Sequence, residues 1–122
     1  MYTAAAEIVF QAGHYLTLGP DQKEQPHQHD WRIRATVQTP KLDRDSLVID
    51  FHLLSKLLHQ AAGPLAQINL INELPDFTAQ NPSTELIARY VYERLAPLLP
   101  PTVKLKEIMV WETPQARAAY SP

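Results

Sequence analysis

"HQHDWRIRATVQT", residues 27–39, decides the fold. His27, His29, Trp31, Ile33, Ala35 and Val37 fall on one parity. Gln28, Asp30, Arg32, Arg34, Thr36 and Gln38 fall on the other. Successive side chains of a strand point to opposite faces, so this alternation predicts one long strand with an apolar and a polar face. Pro40 has no N–H to give to a ladder and ends it. Upstream, residues 5–16 alternate in the same way: Ile8, Phe10, Ala12 and His14 share a face, while Glu7 and Gln11 lie opposite. Between them "LGPDQKEQPH" is rich in Gly, Pro and charge and reads as a loop. The two strands are therefore expected to pair.

Two helices follow. "SLVID" (46–50) is short and apolar, and Asp50 suits a helix N-cap. Phe51, Leu54, Leu57 and Leu58 recur at helical spacing to about Ala62, where Gly63-Pro64 is expected to stop the run. "NPSTEL" (81–86) reads as a second helix start, with Ser83 or Thr84 as cap and Glu85 in the first turn, where the macrodipole favours an anion. Its apolar stripe is Leu86, Ile87, Tyr90, Val91, Leu95 and Leu98. After "PLLPPT", residues 103–112 read as a last strand. Paired strands, two helices and a returning strand predict an α+β fold with an antiparallel sheet.

The gross composition excludes several functions. A chain of 122 residues fits one domain and can bury a core without staples. A net charge of -2 gives no bulk attraction to nucleic acid or an anionic membrane. The absence of cysteine excludes disulfides, thiolate ligands and a cysteine nucleophile. No apolar run approaches the roughly 20 residues of a membrane span. "MYTAAAEIVF" lacks the basic and long apolar regions of a signal peptide, so a soluble, cytoplasmic protein is expected.

The histidines carry the chemistry. His27 and His29 are two apart on a strand, so both leave the apolar face, and His14 shares the apolar face of its own strand. Pairing of these strands brings three imidazoles onto one covered surface. Buried polar groups need partners. One metal ion would satisfy three neutral imidazoles at once, and three histidines with an open position form a catalytic zinc arrangement. The alternative is three histidines hydrogen-bonded separately at the sheet edge.

Five motifs then fall into a known order. "FQAGH" (10–14) resembles F-x-A-x-H, and "HQHDW" (27–31) resembles H-G-H-N-Y. "SLVIDF" (46–51) resembles G-M-V-x-D-F, and "PSTEL" (82–86) resembles P-T-x-E-N. "VWET" (110–113) resembles V-x-E-T before a late tyrosine, here Tyr120. From Phe10 to Tyr120 the chain resembles the 6-pyruvoyl-tetrahydropterin synthase family, which includes the bacterial 6-carboxy-tetrahydropterin synthases. The resemblance implies the tunnelling fold, a four-stranded antiparallel sheet with two helices on one face. It implies a homo-oligomer, a trimer or a dimer of trimers, with the active site between subunits. It implies Zn2+ on His14, His27 and His29. It implies a pterin held by Glu112 with help from Ser83, Thr84 and Glu85, since a carboxylate suits the paired N–H donors of the pterin edge.

The chain departs from the family's pattern in two places that matter to the reaction. The family's usual cysteine base is missing, but a variant group carries a glutamate three residues before H-x-H, and Glu24 has that spacing. Such variants cleave the side chain to give 6-hydroxymethyl-dihydropterin. Read from the residues alone, Glu24 also fits a solvated loop charge. The family's L-D-H segment matches "LAQINLINELP", which puts Ala66 and Gln67 in place of Asp and His. An amide does not titrate. His52 and His59, on the first helix, read as surface residues. The resemblance thus implies a zinc-dependent lyase acting on a dihydroneopterin triphosphate-type side chain. The departures raise a catalytically degenerate, zinc- and pterin-binding homologue beside it, and purely structural histidines remain a third possibility.

Overall fold

The computed structural model describes residues 1–122. Its main sheet has four antiparallel strands in the order β1-β4-β5-β6: β1 is Tyr2–His14, β4 is His27–Thr39, β5 is Lys104–Thr113 and β6 is Ala116–Tyr120. The first pairing is continuous from Tyr2 opposite Thr39 to His14 opposite His27. Parity then sorts the side chains. Ile8, Ala12, Trp31, Ile33, Ala35 and Val37 are all buried on one face, joined by Ile108 and Val110 of β5.

Two helices cover that face. The first, α1, spans Phe51–Gln67 and buries Leu54, Leu58, Ala61, Ala62 and Leu65; the second, α2, spans Thr84–Leu95 and buries Ile87, Ala88, Val91 and Leu95. The Asp50 carboxylate caps α1 by accepting the His52 N–H, and the Ser83 hydroxyl caps α2 by accepting the Leu86 N–H. No helix is long and apolar enough to cross a membrane.

Four local expectations are corrected. Gly63-Pro64 does not stop α1, which runs on to Gln67. Proline crowds the Cβ of the residue before it, and glycine has none. Leu65 beyond is fully buried, and burying a leucine contributes about 1.5–3 kcal/mol, comparable to the cost of the interrupted ladder. The α2 helix ends at Leu95, so Leu98 lies in a following 3₁₀ turn, Ala96–Leu98. A fourth main-sheet strand, β6, follows β5 through a short turn, although its small residues lack a strand pattern. The first loop is not wholly irregular: two-residue strands β2 (Thr17–Leu18) and β3 (Gln22–Lys23) pair across Gly19, whose φ of 70° suits glycine.

The opposite face of the sheet is mostly polar, with Val9 exposed on it and Trp111 covered. Trp111 is only 5% exposed there, stacked under the guanidiniums of Arg32 at 4.2 Å and Arg34 at 4.9 Å.

Candidate metal centre

The register of β1 and β4 builds the centre. It sets His14 opposite His27, with His29 two residues further along the same face. The ring centroids stand 4.7 Å apart for His14–His27, 5.1 Å for His14–His29 and 4.7 Å for His27–His29. Glu112, near the end of β5, brings a carboxylate to the same point. Its Oε1 is 3.1 Å from His14 Nε2 and 3.6 Å from His29 Nε2. One ligand atom from each of these four residues lies within 4.8 Å of all the others.

Tautomers decide what the cluster can hold. His14 Nδ1 is 2.9 Å from the Pro82 carbonyl oxygen, and His27 Nδ1 is 2.9 Å from that of Gln25. A carbonyl only accepts, so each Nδ1 carries the proton and each Nε2 keeps a lone pair. The Nε2 atoms of His14 and His29 are buried and have no hydrogen-bond partner. Burial pushes the His29 imidazole below its ordinary value, against the opposing pull of the Glu112 carboxylate. A neutral imidazole is the form that binds a cation. Orphaned, inward Nε2 lone pairs beside a carboxylate therefore fit a divalent cation.

Trp31 walls the centre. It is fully buried, its ring meets His14 edge-on at 5.0 Å and His29 at 5.4 Å, and its Nε1–H donates to the Ala12 carbonyl at 3.0 Å. Gly13 sits at a close approach: its N–H donates to Asn69 O, and a Cβ at this position would lie 2.8 Å from that oxygen.

Residues 15–17 are held largely by side chains, beside the short pairing of β2 with β3. Asn72 binds both the N–H and the C=O of Tyr15, each at 3.0 Å. Asn81 does the same for Thr17, at 2.9 and 3.0 Å. Between them, Glu24 Oε1 accepts the Leu16 N–H at 2.9 Å, and the Glu24 N–H donates back to Leu16 O. Glu24 is thus half-buried and fixed in orientation rather than a free loop charge. Replacing Asn72 by alanine removes both bonds to Tyr15 in a part-buried setting. It should lower stability by about 1–3 kcal/mol, read by chemical denaturation.

The other singled-out residues scatter around this core. Ser83 caps α2 and Thr84 begins it, directly after the Pro82 carbonyl that holds His14. Glu85 is exposed in the first turn. Ala66 and Gln67 are exposed in the last turn of α1. His52 and His59 are exposed on α1 as expected, with the His59 ring bonded to Ser55 O. Asn72, Asn81 and the carbonyls of Gln25 and Pro82 escaped the sequence reading. Asn81 stands in a stretch read as a helix start and Asn72 in the one matched to the L-D-H segment, and neither reading points to a backbone clamp.

The family described as 6-pyruvoyl tetrahydropterin synthase matches residues 3–122. The chain belongs to that family. Among its relatives, dihydroneopterin monophosphate aldolase of Pyrococcus furiosus is 32% identical over 103 residues, covering 84% of this chain and 82% of the relative. The 6-carboxy-5,6,7,8-tetrahydropterin synthase of Bacillus subtilis is 28% identical over 104 residues, covering 79% of this chain and 68% of that one. The fold is that of the 6-pyruvoyl tetrahydropterin synthase of Caenorhabditis elegans, with a TM-score of 0.85 at 18% identity, covering 99% and 95% of the two chains. The tunnelling fold read from the motifs is therefore the fold of this family member.

Proposed function

We propose that the chain is a zinc-dependent, cytoplasmic enzyme that cleaves the dihydroxylated side chain of a dihydroneopterin-type pterin. The observation that carries this reading is the cluster of His14, His27, His29 and Glu112; the Glu24 carboxylate, held by the Leu16 N–H, is the candidate base. Zinc held by the three imidazoles would polarise the side-chain hydroxyls and lower their pKa. Glu112 and the start of α2, with Ser83, Thr84 and Glu85, hold the heterocycle. Glu24 takes the proton from the outer of the two hydroxyl-bearing carbons' hydroxyls. The bond between those carbons breaks, the outer carbon becomes an aldehyde, and the inner carbon gains a proton to leave a hydroxymethyl group on the ring.

Cleavage is favoured over the triphosphate-eliminating synthase reaction for two reasons. Ala66 and Gln67 offer no titrating group for the second proton transfer. The Pyrococcus furiosus relative is an aldolase. In Plasmodium vivax 6-pyruvoyltetrahydropterin synthase, which shares the fold, a glutamate is named as a catalytic residue. The working unit is a homo-oligomer, a trimer or a dimer of trimers. Both outer strands of the sheet, β1 and β6, keep one unpaired edge through which copies can join.

Metal-loaded wild type and Glu24→Gln should be incubated with dihydroneopterin, its monophosphate and its triphosphate. Wild type is expected to release 6-hydroxymethyl-dihydropterin, and Glu24→Gln to lose roughly 10²–10⁴-fold in rate. A 6-pyruvoyl or 6-carboxy product from the triphosphate would assign synthase chemistry instead. The second reading, a binding protein without turnover, draws on the same Ala66 and Gln67. Calorimetric pterin binding with no product would favour it.

A further inference from the structure

We propose that Glu112 is the fourth ligand of the metal centre while no substrate is bound, and that substrate displaces it. The proposal rests on the reading of a zinc site given above and assigns Glu112 a role beyond holding the heterocycle.

Three observations converge. Glu112 directly follows Trp111, which faces away from the core, so its own side chain turns to the core side with Ile108 and Val110. Its carboxylate is only 28% exposed there, and the polar atoms it meets are the two Nε2 atoms of His14 and His29. No N–H or O–H of the protein bonds the carboxylate, and the two nitrogens it faces are themselves buried without a partner.

The second observation is a clash of lone pairs. Hydrogen bonding to Pro82 fixes the Nδ1–H form of His14. Its Nε2 lone pair then faces Glu112 Oε1 at 3.1 Å without a hydrogen bond. Two lone pairs at that distance repel unless a cation lies between them.

The third is distance. Tetrahedral zinc with bonds of about 2.0–2.1 Å to nitrogen and oxygen sets its ligand atoms about 3.3–3.4 Å apart. The two Glu112 distances, 3.1 and 3.6 Å, bracket that value. Toward His14 and His29 the oxygen stands at the spacing of co-ligands, and all four ligand atoms lie within 4.8 Å of one another.

The consequence is a closed site at rest. A hydroxyl of the substrate can reach the centre only by replacing the carboxylate. The displaced carboxylate is then free to accept the paired N–H donors of the heterocycle. Opening of the metal and seating of the ring become one exchange.

Chelator competition tests this on the full chain. Zinc dissociation constants are compared for wild type, Glu112→Gln, Glu112→Asp and His14→Ala, each with and without saturating neopterin, the oxidised and unreactive pterin. Cobalt(II) spectra of the same proteins report coordination directly. Glu112→Gln is expected to bind zinc about tenfold or more weakly without pterin, to shift the cobalt d–d bands, and to approach wild type when neopterin is present. The cobalt shift separates loss of a ligand from mere loss of a nearby charge. Glu112→Asp, which keeps the charge, covers the case in which the glutamine variant folds poorly, and is expected to fall between the two. Zinc affinity and cobalt spectrum unchanged in Glu112→Gln, with His14→Ala weakened, would overturn the ligand role and leave the metal site standing. Unchanged affinity in His14→Ala as well would overturn both.

Discussion

Substituting alanine for His14 is expected to abolish stoichiometric metal binding. The side chain is 1% exposed, its Nδ1 is fixed by Pro82, and its Nε2 faces the point shared by His29 and Glu112. Loss of an outer-shell partner costs a metal site about 10–100-fold in affinity, and loss of a ligand should exceed that. The Pro82 carbonyl also loses its partner, which should lower the stability of the metal-free protein by about 1–3 kcal/mol. Metal content after dialysis, with calorimetric titration of zinc, reads the first effect. Denaturation in chelator reads the second. One zinc per chain retained by His14→Ala would end the three-histidine reading.

The largest loss of stability is expected for Trp31→Ala. Trp31 is fully buried between the sheet and the centre. Removing so large a core side chain costs about 3–5 kcal/mol, and orphaning the Ala12 carbonyl adds about 1–3 kcal/mol. Against a total of about 5–15 kcal/mol, this brings the domain close to unfolding. The midpoint of thermal unfolding should drop by on the order of 10–30 °C, measured by circular dichroism. Trp31→Phe is the informative companion. It keeps an aromatic wall against His14 and His29 but loses the Nε1–H and part of the indole's volume, so it should cost at least about 1–3 kcal/mol, less than alanine, and stay folded. Equal stability of wild type and Trp31→Ala would mean that the indole is not packed as described.

What could be read from the sequence, and what could not, divides along physical lines. The strand 27–39 was legible because burial on one face imposes a strict period of two, and the same period placed His14, His27 and His29 on the core side. The cap at Ser83 was legible because capping is local. The passage of α1 through Pro64 was not, since it depends on Leu65 being buried against elements far away in sequence. β6 was hidden because its residues are small and its existence depends on β5 as a template. The position of Glu112 against the imidazoles needed the pairing of β4 with β5, whose register slips between Thr36 and Val37. The clamps of Asn72 and Asn81 on residues 15–17 bridge more than fifty positions and leave no periodic trace.

The donor set of the centre has a consequence for its chemical durability. Its four groups are three imidazoles and a carboxylate, and the chain contains no cysteine at all. Thiolates are the first targets of peroxide and of alkylating agents such as iodoacetamide, and this chain offers none; oxidation is left to its two methionines. Under the proposed reading, in which the carboxylate of Glu24 serves as the base, activity is expected to survive treatment with iodoacetamide.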